Sequence, residues 1–279
     1  MRIDNRLVHL YVSNMAICVT KIVFFLETSV IFRDYLHLYR YLFAISPDLH
    51  YLCPQKSPTG DMKNVENIAR SKDGVEYHPL IPFLPEHAKV LFLGSFPPQQ
   101  KRWCMDFYYP NFINDHWRIE GQVFFGDKNH FVDVEAKRFK IDEIVPFCQE
   151  KGLAFYDTST AVRRLQDNAS DKFLEVVEPT DIRGLLRQLP HCRAIVTTGE
   201  KATETICSTL GILPPEGRSV ARNPVVPKVN TAVPIEGLCN QDGATLMLYR
   251  LPSSSRAYPL SFDKKVEAYR KMFMDFDIK

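Results

Sequence analysis

The chain of 279 residues is 45% hydrophobic and 24% charged, which is typical of globular proteins and excludes disorder over the whole length. Its 35 Lys and Arg residues nearly balance 33 Asp and Glu residues, for a formal net charge of +2. That charge is too small for a protein that coats nucleic acid electrostatically, so any contact with DNA must be local.

Residues 1–61 differ from the remainder and are predicted to be an N-terminal extension of unknown role, outside the functional domain. The apolar stretch from Met15 to Phe32 contains Lys21 and Glu27, so it predicts no membrane span, and no cleavage pattern of a signal peptide follows it. A helical or β-rich extension packed on the main domain and an artefactual upstream reading frame both stay open. The functional domain is expected to cover residues 62–279, where a soluble, charged stretch begins.

Four short apolar runs follow, and each leads into a helical pattern. Continuous apolar strands that alternate with helices predict an α/β fold, a three-layer α/β/α sandwich around a central, mostly parallel, four-stranded sheet. The strands are expected within the runs Lys89 to Pro98, Leu153 to Thr160, Ala194 to Ala202 and Thr245 to Ser255.

The intervening segments carry helix and loop signals. Thr197 and Glu200 have the spacing of a capping box, Asp181 to Leu189 predicts a short helix, and Ser261 is the expected N-cap of the last helix. The density of Pro, Asn and Gly between Arg218 and Gly243 predicts a long loop. The last helix is expected to bury a stripe formed by Phe262, Val266, Tyr269, Phe273 and Phe276.

Loops that follow parallel strands gather at one edge of a sheet, where helix N-termini also present free N–H groups. Each apolar run ends in such a loop, so we expect all four loops to face one cleft. They are GSFPP (94–98), DTST (157–160), TGEKA (198–202) and LPSSSRA (251–257).

Metal and cofactor sites are not expected. The seven cysteines form no CxxC pair, which predicts neither a disulfide framework nor a paired-thiolate zinc or iron–sulfur site. The eight histidines form no HxH or HxxxH pair, and we interpret His78, His116 and the others as ordinary surface or core residues. A reducing cytoplasm is the expected location.

Several of these segments, in order, resemble the uracil-DNA glycosylase superfamily. GSFPP is similar to its first motif, and LPSSSRA is similar to its second. The closest resemblance is to the hypoxanthine-DNA glycosylase branch, whose first motif reads GSFP and whose next aromatic segment is similar to YYPNFINDHWRI (108–119). GLAFYDTS (152–159) also resembles a strand of that branch, and the likeness extends over most of residues 78–275.

The resemblance implies an enzyme of base excision repair, a DNA N-glycosylase. Such a hydrolase cleaves the N-glycosidic bond of a deaminated base after the base has flipped out of the duplex. Hypoxanthine is placed slightly ahead of uracil as the expected base. The implied partner is DNA that contains a damaged base, with no cofactor and no membrane, and a monomer is expected.

The chain departs from the superfamily at two motif positions. Phe96 stands where an Asp or Asn usually activates water, and a phenyl ring cannot orient water. In the hypoxanthine branch an Asn in the next segment replaces that group, and it corresponds to Asn114. The alternative is that Asn114 only caps the backbone ahead of Trp117. Leu251 replaces the His that begins the second motif in uracil-specific enzymes.

Asp157 lies where the superfamily places a side chain that reads the base. Its carboxylate can accept an N–H from the base edge, or, if burial keeps it protonated, it can donate to a carbonyl. The alternative is that Asp157 caps the next helix or pairs with Arg163 or Arg164.

Two further groups complete the predicted site. Phe96 or Tyr108 is expected to stack on the flipped base, Ser253 to bind phosphate, and Ser255 or Arg256 to fill the emptied stack. A polar cluster at residues 168–171 either borders the cleft or caps a helix. The residues expected to bind the base are Gly94, Ser95, Phe96, Pro97, Tyr108 and Asp157, and those expected to bind DNA are Pro252, Ser253, Ser254, Ser255 and Arg256.

Two other functions stay open. Phe96 at the usual catalytic position favours a lesion-binding module with little or no catalysis. An α/β nucleotide-binding protein with TTGEKA as its phosphate loop is the other possibility, although the chain lacks the GxxxxGK[ST] and GxGxxG patterns.

Overall fold

The computed structural model describes residues 74–166, 171–212 and 226–279. The predicted extension at residues 1–61, the expected domain start at Met62 and residues 168–170 of the polar cluster lie outside the described residues. The division of the chain near residue 62 therefore stays a prediction.

The central sheet contains the four predicted parallel strands, in the spatial order β5-β2-β8-β10. Each strand lies within one of the four apolar runs, and nearly every residue of β2, β5 and β8 is buried, as a sheet covered on both faces requires. The strands are β2 (Val90–Gly94), β5 (Leu153–Asp157), β8 (Ala194–Thr198) and β10 (Thr245–Leu251).

A fifth strand, β9 (Thr231–Cys239), pairs antiparallel with β10 and corrects the predicted strand number from four to five. The prediction of one long loop between Arg218 and Gly243 is wrong over this strand. β9 is an edge strand with mostly exposed residues, and it tolerates Pro234 and Gly237, which normally indicate a loop.

Helices cover both faces of the sheet, which confirms the three-layer α/β/α architecture. Along the chain, β5 is added on one side of β2, whereas β8 and then β10 are added on the other side. Because crossovers between parallel strands are right-handed, this reversal places α1 and α2 on one face of the sheet and α3 and α4 on the other. Helix α5 packs against α1. The helices are α1 (His116–Phe125), α2 (Ile141–Lys151), α3 (Ile182–Arg187), α4 (Glu200–Leu210) and α5 (Phe262–Asp275).

The helix signals were correct in three cases out of four. Asp181 caps α3 through the N–H of Gly184, Ser261 is the N-cap residue of α5, and the predicted α5 stripe is buried except for the half-buried Phe262. The capping box is wrong. β8 continues through Thr198, so Gly199 is the N-cap of α4.

A small antiparallel sheet stands beside the carboxyl end of β5. It has the order β1-β6-β7, and β6 begins two residues after β5 ends, so the segment that follows β1 is brought to the cleft. Its strands are β1 (Val75–Tyr77), β6 (Ser159–Arg164) and β7 (Leu174–Pro179), and a separate hairpin is formed by β3 (Val132–Asp133) and β4 (Arg138–Phe139).

Among the described residues, no helix has the length and apolar character needed to cross a membrane.

Candidate functional site

A cavity of about 970 Å³ opens at the carboxyl ends of the parallel strands. Residues from all four strand-end loops line it, which confirms the prediction of one shared cleft. Every predicted site residue lines this cavity except Pro252, which is buried. The structure therefore brings the two motif loops and the aromatic segment together around one space.

The first-motif loop is held in place on both sides. Gly94 lies opposite Asp157 in the β2–β5 register, and a Cβ at Gly94 would stand only 2.4 Å from Asp157 Oδ1, so only glycine permits this approach. The Ser95 hydroxyl donates to Asp171 Oδ2 at 3.0 Å, and the Arg164 guanidinium donates to the Pro97 carbonyl at 3.2 Å.

Asp157 pairs with His78, a histidine interpreted from the sequence as an ordinary surface or core residue. His78 Nε2 lies 2.8 Å from Asp157 Oδ2, and the two side chains are only 2% and 11% exposed. On the other side of the ring, Nδ1 lies 2.9 Å from the Leu80 carbonyl oxygen and 3.2 Å from the Leu80 amide nitrogen. The ring is therefore fixed at both nitrogens, and the carboxylate faces the cavity with a defined orientation.

The alternative pairings considered for Asp157 are wrong. Arg163 pairs with Glu175 at 2.6 Å, and Arg164 pairs with Glu76 at 3.2 Å. A sequence separation of 79 between His78 and Asp157 gives no spacing signal, so sequence reasoning had no means of pairing them.

The two aromatic residues predicted to stack on the base are largely enclosed. Tyr108 is 4% exposed, its hydroxyl donates to the Ile81 carbonyl at 2.7 Å, and its ring stacks on Phe155. Phe96 is 9% exposed and meets the ring of His78 edge-on, with a centroid distance of 5.4 Å. Both rings line the cavity, and their stacking role stays a prediction.

Tyr109 is a further lining residue in an unusual backbone conformation, with φ of +52°. Its ring stacks on the buried His116 at a centroid distance of 3.7 Å, and its hydroxyl lies 2.9 Å from Thr198 Oγ1. Burial raises the pKa of Tyr109. The phenol is therefore protonated at neutral pH and acts as a neutral hydrogen-bonding group at the cavity wall.

Asn114 lies at the start of α1, half-buried, and joins the second-motif loop through an antiparallel bridge to Ser255. Its Oδ1 accepts the backbone N–H of His116 at 2.9 Å, which is the capping contact that the sequence left as an alternative. That bond fixes the amide orientation and uses one lone pair of Oδ1, while the second lone pair and the Nδ2 donors remain for other partners.

A buried carboxylate ties the second-motif loop to α1. Arg256 Nε donates to Asp115 Oδ1 at 2.8 Å, and Lys265 Nζ lies 3.7 Å from Asp115 Oδ2 and donates to the Ser255 carbonyl at 2.7 Å. Burial lowers the pKa of Lys265, and the charge of Asp115 opposes that shift. Because the Arg256 side chain is half-exposed, its guanidinium is anchored and still reaches solvent.

Ser253 and Gly199 face each other across the cavity wall. Ser253 Oγ accepts the backbone N–H of Ser255 at 3.2 Å, and a Cβ at Gly199 would lie 3.7 Å from the Ser253 side chain. Gly199 has φ of +103°, a conformation that L side chains rarely adopt, and is the N-cap of α4.

Ile113 is an exposed apolar residue at the cavity rim that sequence reasoning missed. It is 56% exposed and directly precedes Asn114, and its N–H bonds to Asn111 Oδ1 at 3.2 Å. A single apolar residue inside an aromatic segment gives no periodic signal, so only the structure distinguishes it from core residues.

Within the described ranges, no group of three or more His, Cys, Asp and Glu side chains is placed to hold a metal ion.

Comparison with protein-family models finds no match, and comparison with curated proteins finds none either. Among solved structures, the chain is similar to a solution NMR structure described as a "putative Uracil DNA glycosylase" from Methanosarcina acetivorans. The sequence identity is 20% and the TM-score 0.43, over 72% of this chain and 99% of that one. A likeness with this score supports no statement about the chemistry of this chain, whose fold class follows from its own sheet topology.

Proposed function

We propose that this protein is a DNA N-glycosylase that removes a deaminated base, hypoxanthine or uracil, after the base has flipped out of the duplex. The observation that carries the proposal is the bridge between Asn114 and Ser255 at the cavity rim. It joins the amide expected to orient water to the loop expected to grip the DNA backbone.

The reaction needs a positioned water and a pocket that receives the base. The bond from the water oxygen to the sugar C1′ forms as the C1′–N bond breaks, and the electron pair of that bond leaves with the base. Asn114 is a poor proton acceptor, so its role is to orient the water by hydrogen bonding, and the released proton passes to solvent. Positioning and electrostatics then supply most of the acceleration.

The remaining residues bind the substrate. Asp157 contacts the base edge, and the first-motif loop and Tyr108 form the wall of the base pocket. Ser253, beside Gly199, binds a phosphate with short neutral donors, in keeping with the small net charge. Arg256 and Ile113 project at the rim, where a side chain can enter the stack that the base has left.

A lesion-binding module without catalysis is the second candidate. Two observations favour it, namely Phe96 at the usual catalytic position and the bond from the His116 N–H to Asn114 Oδ1. The two functions differ in one result, because a binding module holds the lesion and leaves the glycosidic bond intact.

The test is an excision assay with duplexes that carry one deoxyinosine, one deoxyuridine or only ordinary bases, followed by alkaline cleavage of abasic sites. We expect strand breaks at the deaminated base and their loss in Asn114→Ala. Asn240→Ala is the matched control, because Asn240 Oδ1 also accepts a backbone N–H, at 2.9 Å, yet does not line the cavity. Lesion binding without breaks would favour the module, and no preference for lesion DNA would reject both.

The same assay tests the domain proposal. If residues 62–279 form the functional domain, a chain that begins at Met62 excises the base as the full chain does.

A further inference from the structure

The Asp157 carboxylate has a hydrogen-bond partner on one side and the backbone of a glycine on the other. His78 Nε2 lies 2.8 Å from Oδ2, within the range of charge-assisted hydrogen bonds. Oδ1 occupies the space above Gly94, where a Cβ would come within 2.4 Å. One carboxylate oxygen is therefore bound to the histidine, and the other lies in space that only a glycine at position 94 leaves open.

None of the other titratable groups that face Asp157 in the described structure is a cation that could neutralise a carboxylate. These are the phenols of Tyr108, Tyr109 and Tyr156 and the carboxyl of Asp171. Burial raises the pKa of all three phenols, which are neutral at physiological pH. Among the described side chains, His78 is the one that hydrogen-bonds the carboxyl of Asp157.

We propose that His78 is a positioning residue that holds Asp157 as a fixed, charged acceptor, and that this acceptor reads the ring N–H created by deamination. The inference rests on the proposed function and adds to it the residue that orients the base-reading carboxylate.

The chemistry of deamination explains this recognition. Deamination converts N1 of adenine and N3 of cytosine, both hydrogen-bond acceptors, into the N–H donors of hypoxanthine and uracil. A carboxylate oxygen accepts from either donor and is repelled by either acceptor lone pair. Guanine and thymine also carry a ring N–H. They are excluded because flipping a correctly paired base costs more free energy than flipping a mispaired one.

The test uses the full chain with His78→Leu and His78→Gln. Leucine removes the donor to Asp157, whereas the glutamine amide restores an N–H near the position of Nε2. His191→Leu is the control, because His191 faces Asp242 at 3.7 Å on the exposed surface. Thermal unfolding of each variant establishes that it is folded.

Two readouts are measured: the ratio of dissociation constants for duplexes with deoxyinosine and with deoxyadenosine, and the excision rate for deoxyinosine. We expect His78→Leu to reduce both the binding ratio and the rate by about tenfold or more, and His78→Gln to recover most of each loss. His191→Leu should match the wild type.

The inference is overturned if folded His78→Leu keeps the wild-type binding ratio, or if His78→Gln is as impaired as His78→Leu. Absence of excision by the wild type would reject the proposed enzyme instead. In that case the binding ratio alone still decides the role of His78.

Discussion

In the part of the chain that the structure describes, two histidine–carboxylate pairs have largely buried side chains, and their environments make them chemically different. His78 and Asp157 approach to 2.8 Å at the cavity wall, and the backbone of Leu80 meets the second ring nitrogen. His116 and Glu120 lie in the core at 3.5 Å, both fully buried, and within the described structure their side-chain nitrogen and oxygen atoms have no hydrogen-bond partner.

Burial decides the charge state of the core pair. It lowers the pKa of His116 well below its usual value and raises the pKa of Glu120 well above its usual value, so burial favours the neutral form of each group. The pocket pair differs because its hydrogen bond is short and Asp157 opens to the cavity. The pocket pair therefore presents a hydrogen-bonded carboxyl to the cavity, whereas the core pair is closed to solvent.

The largest contrast should come from the same chemical change at the two pairs. Asp157→Asn replaces the pocket carboxylate, which has two acceptor oxygens, with a neutral amide that has one. When that oxygen accepts from His78, the NH2 group faces the ring N–H of the base. We expect kcat/KM for deoxyinosine excision to fall about 100-fold, the equivalent of losing a hydrogen bond to a charged group. Glu120→Gln should leave excision unchanged. Equal losses in the two variants would contradict the distinction between the pairs.

Gly94→Ala sharpens the comparison without changing either pair chemically. The added methyl group would stand 2.4 Å from Asp157 Oδ1, so the carboxyl must move away from its position against His78. We expect roughly a tenfold loss in kcat/KM with the fold retained. The control is Gly126→Asn, because no atom lies within 4 Å of a Cβ at Gly126 and Asn tolerates its left-handed backbone, with φ of +70°, better than most side chains do. Its excision rate should be unaffected.

Glu120→Gln should change how the free energy of unfolding depends on pH, because it removes the ionisable carboxyl of the core pair. Because the folded-state pKa of Glu120 is raised, its favourable contribution is complete below pH 4.5 and is lost as pH rises toward the folded-state pKa. Because glutamine cannot ionise, the variant does not lose this stability as pH rises. Its free energy of unfolding at pH 8 should exceed that of the wild type by about 1–3 kcal/mol. Urea unfolding at pH 5 and pH 8 measures the difference, and a less stable variant at pH 8 would indicate an ionised pair.

The smallest expected effect concerns the rim. Ile113→Ala removes an exposed apolar side chain, and if Ile113 enters the emptied stack, affinity for lesion duplex should fall about fivefold, or roughly 1 kcal/mol. Affinity for the same lesion in single-stranded DNA should not change, because no stack is there to fill. An equal loss of affinity for both substrates would show that Ile113 does not enter the emptied stack.

How far the sequence predicts the molecule depends on whether a feature is local. Continuous apolar runs predict β2, β5, β8 and β10, because a strand buried on both faces must be apolar throughout. β9 is not predicted, because an exposed edge strand need not be apolar throughout and can contain a proline such as Pro234.

The same distinction applies to the candidate site. The motif loops are contiguous in sequence, and their shared cleft follows from the rule for parallel sheets. The contact between His78 and Asp157 depends on the small sheet of β1, β6 and β7, whose short strands carry little signal. The attachment of Arg256 to Asp115 depends likewise on how the second-motif loop meets α1.

The most direct test of the account is single-turnover excision from a duplex with one deoxyinosine, by wild type and Asn114→Ala at equal, saturating concentration. The account predicts alkali-labile sites at the lesion for the wild type and a rate lower by about 100-fold or more for the variant. Excision at the wild-type rate by folded Asn114→Ala, or no excision by a wild type that binds the lesion, would contradict it.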